Sequence, residues 1–250
     1  MANGILYFSG TGNSLYIAKR IKDAISGDIL FIPNYTGNGS EFDKIIIVTP
    51  VYSFGMPKHV YELIPRLDKL KEVIIIQNFG GMACGADFLM CEYCMKIGVN
   101  LQSIYLMQMP ENYTTTFTVP KFYITKVLKN AEKRLDKIIL DIKNSCYTIP
   151  SKKKTMEAMF LKNFSNWYKL AKGFTVNNNC IQCGKCVSNC PVNNISLDSG
   201  KVEFADSCVA CLACYHRCPQ KAIAYKNHNK QDRYTNPNIN EADIGKDFIG

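Results

Sequence analysis

Eight of the chain's twelve cysteines fall into two copies of one spacing. The first copy is Cys180-x2-Cys183-x2-Cys186-x3-Cys190-Pro191, the second Cys208-x2-Cys211-x2-Cys214-x3-Cys218-Pro219. Three thiolates two residues apart let a short loop wrap three corners of an iron–sulfur cube, and the proline ends the turn and aims the fourth thiolate elsewhere. Tetrahedral zinc also takes C-x2-C pairs and is the competing reading. Gly184 supplies a tight turn between ligands, and Ile181, Val187, Ile195, Val209, Leu212, Ile223 and Tyr225 supply an apolar shell. His216, between two of the cysteines, is expected at the surface. Cys84, Cys91, Cys94 and Cys146 remain; Cys91-x2-Cys94 lacks a matching second half and reads as helix packing.

A second set of residues suits an anion. An apolar run ending at Phe8 passes into Ser9-Gly10-Thr11-Gly12-Asn13-Ser14, directly before an amphipathic helix. Backbone N–H groups and the hydroxyls of Ser9, Thr11 and Ser14 then converge on a helix N-terminus, whose dipole favours phosphate. A dinucleotide fingerprint fits poorly, because Leu15 stands where the third glycine belongs. No lysine stands where a triphosphate loop needs one.

The elements that must position these groups follow from periodicity. Strands are expected at Ile5–Phe8, Ile29–Pro33, Lys44–Thr49, Val73–Gln77 and Gln102–Met109, with Ile45 to Val48 apolar enough to be buried on both faces. Helices are expected at Ser14–Ile25, Lys58–Leu67, Ala86–Ile97 and Lys121–Lys143, the last turning Tyr123, Val127, Leu128, Leu135, Ile138 and Ile139 inward. This alternation is an α/β class with five parallel strands in the order 2-1-3-4-5. Asn34 to Phe42 is too short for a crossover helix. The expected division is an α/β domain over 1–150, a helical connector over 151–175, a small α+β cluster domain over 176–226 and a polar tail over 227–250. Met156, Phe160, Phe164 and Trp167 form a docking stripe on the connector, and Tyr234, Ile239, Ile244 and Phe248 could pin the tail.

Ser-Gly-Thr-Gly-Asn-Ser, with Ala18 in the following helix, resembles the FMN phosphate loop of flavodoxins, Ser14 replacing the more usual threonine. That resemblance implies FMN, with its ring between Pro50, Val51, Tyr52, Ser53, Phe54 and Gly55 on one side and Asn78, Phe79, Gly80 and Gly81 on the other. Met109 to Tyr113, with Tyr113 foremost, forms a third wall. The phosphate would engage Ser9, Thr11, Gly12, Asn13 and Ser14. The cysteine repeat is similar to that of bacterial two-cluster ferredoxins, in which the fourth ligand serves the other cluster. It implies two 4Fe-4S clusters, one on Cys180, Cys183, Cys186 and Cys218, the other on Cys208, Cys211, Cys214 and Cys190. Nearly the whole chain resembles a flavodoxin-like domain fused to a two-cluster ferredoxin.

Composition narrows the function. The chain has 250 residues, 47% of them hydrophobic, enough for a core. No run of about 18 apolar residues offers a membrane span, and Met-Ala-Asn-Gly leads straight into Ile5 without a leader pattern, so a cytoplasmic protein is expected. The formal net charge of +9 gathers in residues 151–175, which hold six basic and one acidic residue. Two thiolate-bound clusters and a flavin phosphate would offset about six of these charges. Nucleic acid is therefore not the expected partner. Lys152, Lys153 and Lys154 read first as a solvated junction and second as a steering surface for an acidic redox partner, a ferredoxin or reductase. Flavodoxins are typically acidic, so partners that recognise an acidic rim do not carry over. The expected role is anaerobic electron transport, single electrons passing between the clusters and FMN, with no side chain acting as acid or base. The alternatives are an FMN-dependent reductase of a small-molecule acceptor fed by the clusters, and a redox sensor that reads cluster state.

Overall fold

The computed structural model describes residues 2–116, 118–150, 157–164, 166, 168–226 and 232–250, with Ala158 described by its backbone alone. Lys152, Lys153, Lys154, Met156 and Trp167 lie outside the described residues.

Five parallel strands form the first sheet: β1 (Asn3–Tyr7), β2 (Asp28–Phe31), β3 (Lys44–Pro50), β4 (Glu72–Phe79) and β5 (Leu101–Gln108), in the order β2-β1-β3-β4-β5. Ile5 pairs with Ile29 on one side and Ile46 on the other. Ile45, Ile46, Ile47 and Val48 are wholly buried, as a strand covered on both faces requires. Helix α1 (Asn13–Ile25) packs with α4 (Lys121–Lys143) across one face, while α2 (Lys58–Leu63) and α3 (Ala86–Ile97) cover the other. A 3-10 turn, Ile64–Arg66, ends α2 where Pro65 interrupts the α-helical hydrogen bonding.

The link from β2 to β3 has no α-helix. Phe42 fills the space instead, its ring so close to Gly4 that a Cβ there would lie 2.4 Å away. Arg66 donates to the carbonyls of Tyr35 and Gly37 and pins the loop. On α4, Val127, Ala131, Leu135, Ile138, Ile139 and Ile142 face inward at helical spacing. Tyr123, expected inside, is exposed, and its hydroxyl accepts from Gln108 Nε2 at 3.3 Å. Cys91 and Cys94 are buried on α3, with Cys94 Sγ 3.7 Å from Met90 Sδ.

Next come α5 (Glu157–Phe164) and α6 (Tyr168–Ala171). Phe160 stacks on Tyr61 at 5.4 Å, and Phe164 meets the same ring edge-on at 5.7 Å. Ala210 joins this small cluster, so α5 touches both halves of the chain. The cysteine-rich half is built from β6 (Phe174–Val176) paired antiparallel with β9 (Ile223–Tyr225), and β7 (Ile195–Asp198) paired with β8 (Lys201–Phe204). Two four-residue helices, α7 (Lys185–Ser188) and α8 (Ala213–His216), carry part of each cysteine run.

Residues 232–250 return to the first sheet. Phe248 and Ile29 exchange backbone hydrogen bonds at 2.7 and 2.9 Å, so the tail closes the edge at β2. Tyr234, Ile239 and Ile244 are buried, and Phe248 packs on the core. Tyr7, wholly buried, donates its hydroxyl proton to Lys246 O and accepts from Gly245 N, both at 2.9 Å. Among the described residues no helix is long and apolar enough to cross a membrane. The Tyr7→Phe variant orphans the Gly245 N–H and the Lys246 carbonyl; it is expected to lower unfolding free energy by about 1–3 kcal/mol and to hasten proteolysis of the tail, measured by urea denaturation and limited digestion.

Candidate functional site

A cavity of about 970 Å³ opens at the carboxyl ends of β3, β4 and β5, where this class of sheet takes its ligands. Pro50 to Phe54, Asn78 to Gly81 and Pro110 to Tyr113 form one side. The first of these loops is a two-residue hairpin: Tyr52 and Gly55 exchange backbone hydrogen bonds, and Ser53 and Phe54 between them have φ of 47° and 72°. Such turns ordinarily use Asn-Gly, so two side-chain-bearing residues here hold strain of the kind found at working sites. Gly55 does not line the cavity; a Cβ on it would lie 2.2 Å from the Phe160 ring.

Glu111 holds the other two loops together. Its carboxylate accepts from Asn112 N, Tyr113 N and Gly81 N at 2.8–3.1 Å. Gly80 packs so tightly beside it that a Cβ would sit 2.7 Å from Glu111 Cα. Asn78 donates to Ser14 Oγ at 2.9 Å and to Thr49 O at 3.0 Å, which ties the end of β4 to the start of α1.

Of the residues expected to hold phosphate, Asn13 lines the cavity, while Ser9, Thr11, Gly12 and Ser14 are buried behind it. Gly12 N donates to Ser9 Oγ at 2.9 Å, and Asn112 Nδ2 donates to Thr11 Oγ1 at 2.9 Å. The N–H groups of Thr11, Asn13, Ser14 and Leu15 have no acceptor among the described residues, although all four residues are buried. Buried donors aimed from a helix N-terminus are an anion's complement, so the loop fits a phosphate-bearing flavin.

The opposite side of the cavity comes from the cysteine-rich half and its connector: Asn163, Asn166, Lys169, Lys172, Ala210, Leu212 and Tyr225 are among its residues. Ala210 and Leu212 flank Cys211, and both adopt φ of 58°. The first copy repeats this conformation at Gln182 and Gly184, with φ of 56° and 71°. The wall from the connector left no motif in the sequence. It is assembled by distance in space between segments that have no regular spacing in common.

The cysteines form two groups. Cys180, Cys183, Cys186 and Cys218 surround one small cavity, and Cys186 lies within electrostatic reach of Cys180 and Cys218. Cys190 lies within reach of Cys208, Cys211 and Cys214. Cys190 Sγ accepts from Asn194 N at 3.2 Å and Cys218 Sγ from Ala222 N at 3.3 Å, the same i to i+4 bond in each copy. Among the described residues no three His, Cys, Asp or Glu side chains draw together around a single metal ion. Burial pushes the Cys211 thiol up to about 12, Cys214 well above the ordinary thiol range, and Cys208 and Cys186 upward. Iron held by these thiolates would replace those protons, so loading the site would release them.

The two groups differ in surroundings. Cys183 is exposed and Ile181 beside it is 61% exposed, whereas Cys211 is buried against the flavodoxin-like half. A Cβ on Gly10 would lie 2.1 Å from the Cys211 carbonyl oxygen. Tyr52, which lines the large cavity, is held protonated by burial and lies within electrostatic reach of Cys211 and Cys208. His216 is not at the surface. Its Nδ1 accepts from Tyr234 N at 3.1 Å, which leaves the proton on Nε2 to be donated to Asn112 O at 2.6 Å. Burial keeps the ring neutral, its pKa down to about 4.

Two family models match the chain. Residues 4–82 match the flavodoxin domain and residues 179–223 the 4Fe-4S dicluster domain. The chain is a flavodoxin-like domain fused to a ferredoxin-type 4Fe-4S domain, and its class is that of electron-transfer iron–sulfur flavoproteins. Among solved structures, it resembles Fusobacterium nucleatum flavodoxin bound to flavin mononucleotide, at 17% identity over 58% of this chain and 98% of that one, TM-score 0.41. Two-electron reduced Megasphaera elsdenii flavodoxin is 21% identical over 42% and 84%, TM-score 0.36. Rubredoxin oxygen:oxidoreductase from Desulfovibrio gigas is 11% identical over 55% and 36%, TM-score 0.37. No curated protein matches the chain.

The Gly10→Ala variant must push the loop before α1 and the Cys211 segment apart. It is expected to cost about 1–3 kcal/mol or more and to lower bound flavin and bound iron together, read by absorbance and iron analysis. Normal loading of both would show that the contact is dispensable.

Proposed function

We propose that the chain is an internal electron relay in which two 4Fe-4S clusters and one FMN are held in a fixed series. The observation that carries this reading is the common cavity. Ala210 and Leu212, on either side of Cys211, face the same space as Tyr52, Phe79 and Tyr113. A ligand between those loops is then next to the second cysteine group, with Tyr52 between them.

FMN when bound supplies a centre that takes one or two electrons, and the clusters supply one-electron centres. The chain's own residues do the rest. Cys208, Cys211, Cys214 and Cys190 would hold the inner cluster, in a site desolvated enough to keep water off. Cys180, Cys183, Cys186 and Cys218 would hold the outer cluster, whose exposed loop is where an external donor arrives. The buried N–H groups at the start of α1 would take the flavin phosphate, and Pro50 to Phe54, Asn78 to Gly81 and Tyr113 would enclose the ring. Covalent linkage replaces a diffusional encounter by a constant high effective concentration.

Anaerobic reconstitution is expected to load on the order of eight iron and eight sulfide per chain with one FMN. Cys183→Ser should then slow flavin reduction by a reduced one-electron protein donor while leaving FMN bound, and Cys211→Ser should slow it at least as much. A chain that loads neither flavin nor iron sinks the proposal, as does flavin reduction that ignores both variants.

A further inference from the structure

The tail is more than a cover for the sheet edge. Between Tyr234 and Ile239 it runs against the loop that precedes α1, and it makes three hydrogen bonds there. Asn236 N donates to Thr11 O at 2.8 Å. Asn236 Nδ2 and the Tyr234 hydroxyl both donate to Asn13 Oδ1, at 3.0 and 2.7 Å. Asn236 is 1% exposed and Tyr234 5%. Gly12, at a φ of 92° that disfavours any side chain, packs closely beneath them: a Cβ would lie 3.3 Å from Asn236 Cβ and 3.4 Å from Ile239.

Every one of these bonds runs from a tail donor to a loop acceptor. None occupies a loop N–H. The loop's buried acceptors, the Thr11 carbonyl and Asn13 Oδ1, are thereby satisfied, and the N–H groups of Thr11, Asn13, Ser14 and Leu15 stay available for an anion. The geometry of one peptide unit shows the effect. Holding the Thr11 carbonyl toward the tail turns the N–H of the same peptide, that of Gly12, the other way, where it meets Ser9 Oγ. Asn13 Nδ2 in turn donates to Pro110 O at 3.1 Å, so the residue that opens α1 is fixed from both ends of its amide.

The tail is itself anchored in the cluster domain. His216 accepts from Tyr234 N, Arg217 Nη2 donates to Glu241 O at 3.0 Å, and the Arg233 guanidinium lies 3.6 Å above the Tyr215 ring. A segment held this firmly can set the shape of a loop that would otherwise adjust.

We infer that Tyr234 and Asn236 are positioning residues of the flavin-phosphate site, satisfying the loop's acceptors and orienting its donors so that phosphate rather than the ring supplies the binding selectivity. The inference rests on the FMN reading and extends it to a segment more than 200 residues away in sequence.

The test is flavin binding by the full chain, read as fluorescence quenching with FMN and with riboflavin, which lacks the phosphate. Tyr234→Phe removes one hydroxyl and Asn236→Ala one amide; each is expected to raise the FMN dissociation constant about tenfold and leave riboflavin within twofold. Ile249→Ala, exposed in the same segment and bonded to none of the loop residues, is expected to leave FMN binding unchanged. FMN binding unaltered in both Tyr234→Phe and Asn236→Ala overturns the inference, and so does an equal loss for riboflavin. Wild-type protein that binds riboflavin and FMN alike also overturns it while sparing a flavin site, whereas wild-type protein that binds neither overturns the FMN reading beneath it.

Discussion

The absence of a side chain at Gly10 is the constraint on which the arrangement turns. With only hydrogen there, the Cys211 backbone can lie directly against the loop that starts α1, and the two halves share one wall instead of touching at their rims. Everything at the large cavity follows from that approach. Ala210 and Leu212 enter it from one side, Tyr52 and Tyr113 from the other, and Phe160 fills the remaining gap over Gly55. The left-handed backbone of Ala210 and Leu212 is a cost of roughly 1–2 kcal/mol each, which the first copy avoids at one of the two positions with Gly184 and which burial of the Leu212 side chain helps to offset here.

The two cysteine groups are equivalent in local geometry and unequal in environment. One repeat, applied twice, makes the same N–H to sulfur bond at Cys190 and Cys218. Burial then separates them. Desolvation and hydrogen bonds to sulfur are the levers that tune cluster potentials; here the bond to the last cysteine of each run is matched, Cys208 Sγ also accepts from Ala210 N at 3.4 Å, and the burial differs. The inner group sits against Tyr52 and the outer group opens toward solvent at Cys183 and Ile181. If each group holds a cluster as proposed, a difference in potential would arise from where each copy lies, without any change in its ligands.

Much of this was legible from residue order. Continuous apolarity at Ile45 to Val48 marked a strand buried on both faces, and the periodicity from Lys121 to Lys143 marked α4. Side chains governed by local spacing were readable; those governed by distant partners were not. Tyr123 has the right phase for the core, yet it lies near the open end of α4 where the sheet no longer covers it. His216 was expected outside because its neighbours are ligands of small loops, but the tail and the Asn112 segment close over it. The turn at Ser53 and Phe54 carries neither Asn nor Gly, so nothing marked it. Tyr234 was legible as an apolar pin of the tail, but the bonds that its hydroxyl and Asn236 make to Asn13 showed only in the fold.

The return of residues 232–250 to β2 and to the loop before α1 makes the cluster domain an insertion, in topological terms, within the flavodoxin-like one. A chain made from the N-terminus cannot complete its first domain before its second has been synthesised. Until Asn236 and Phe248 emerge from the ribosome, the β2 edge is unpaired and the acceptors of the Thr11 and Asn13 loop are bare. Closure of the first domain is thereby placed late in time, the cysteine-rich segment being made before the loop at the start of α1 and the β2 edge can be covered.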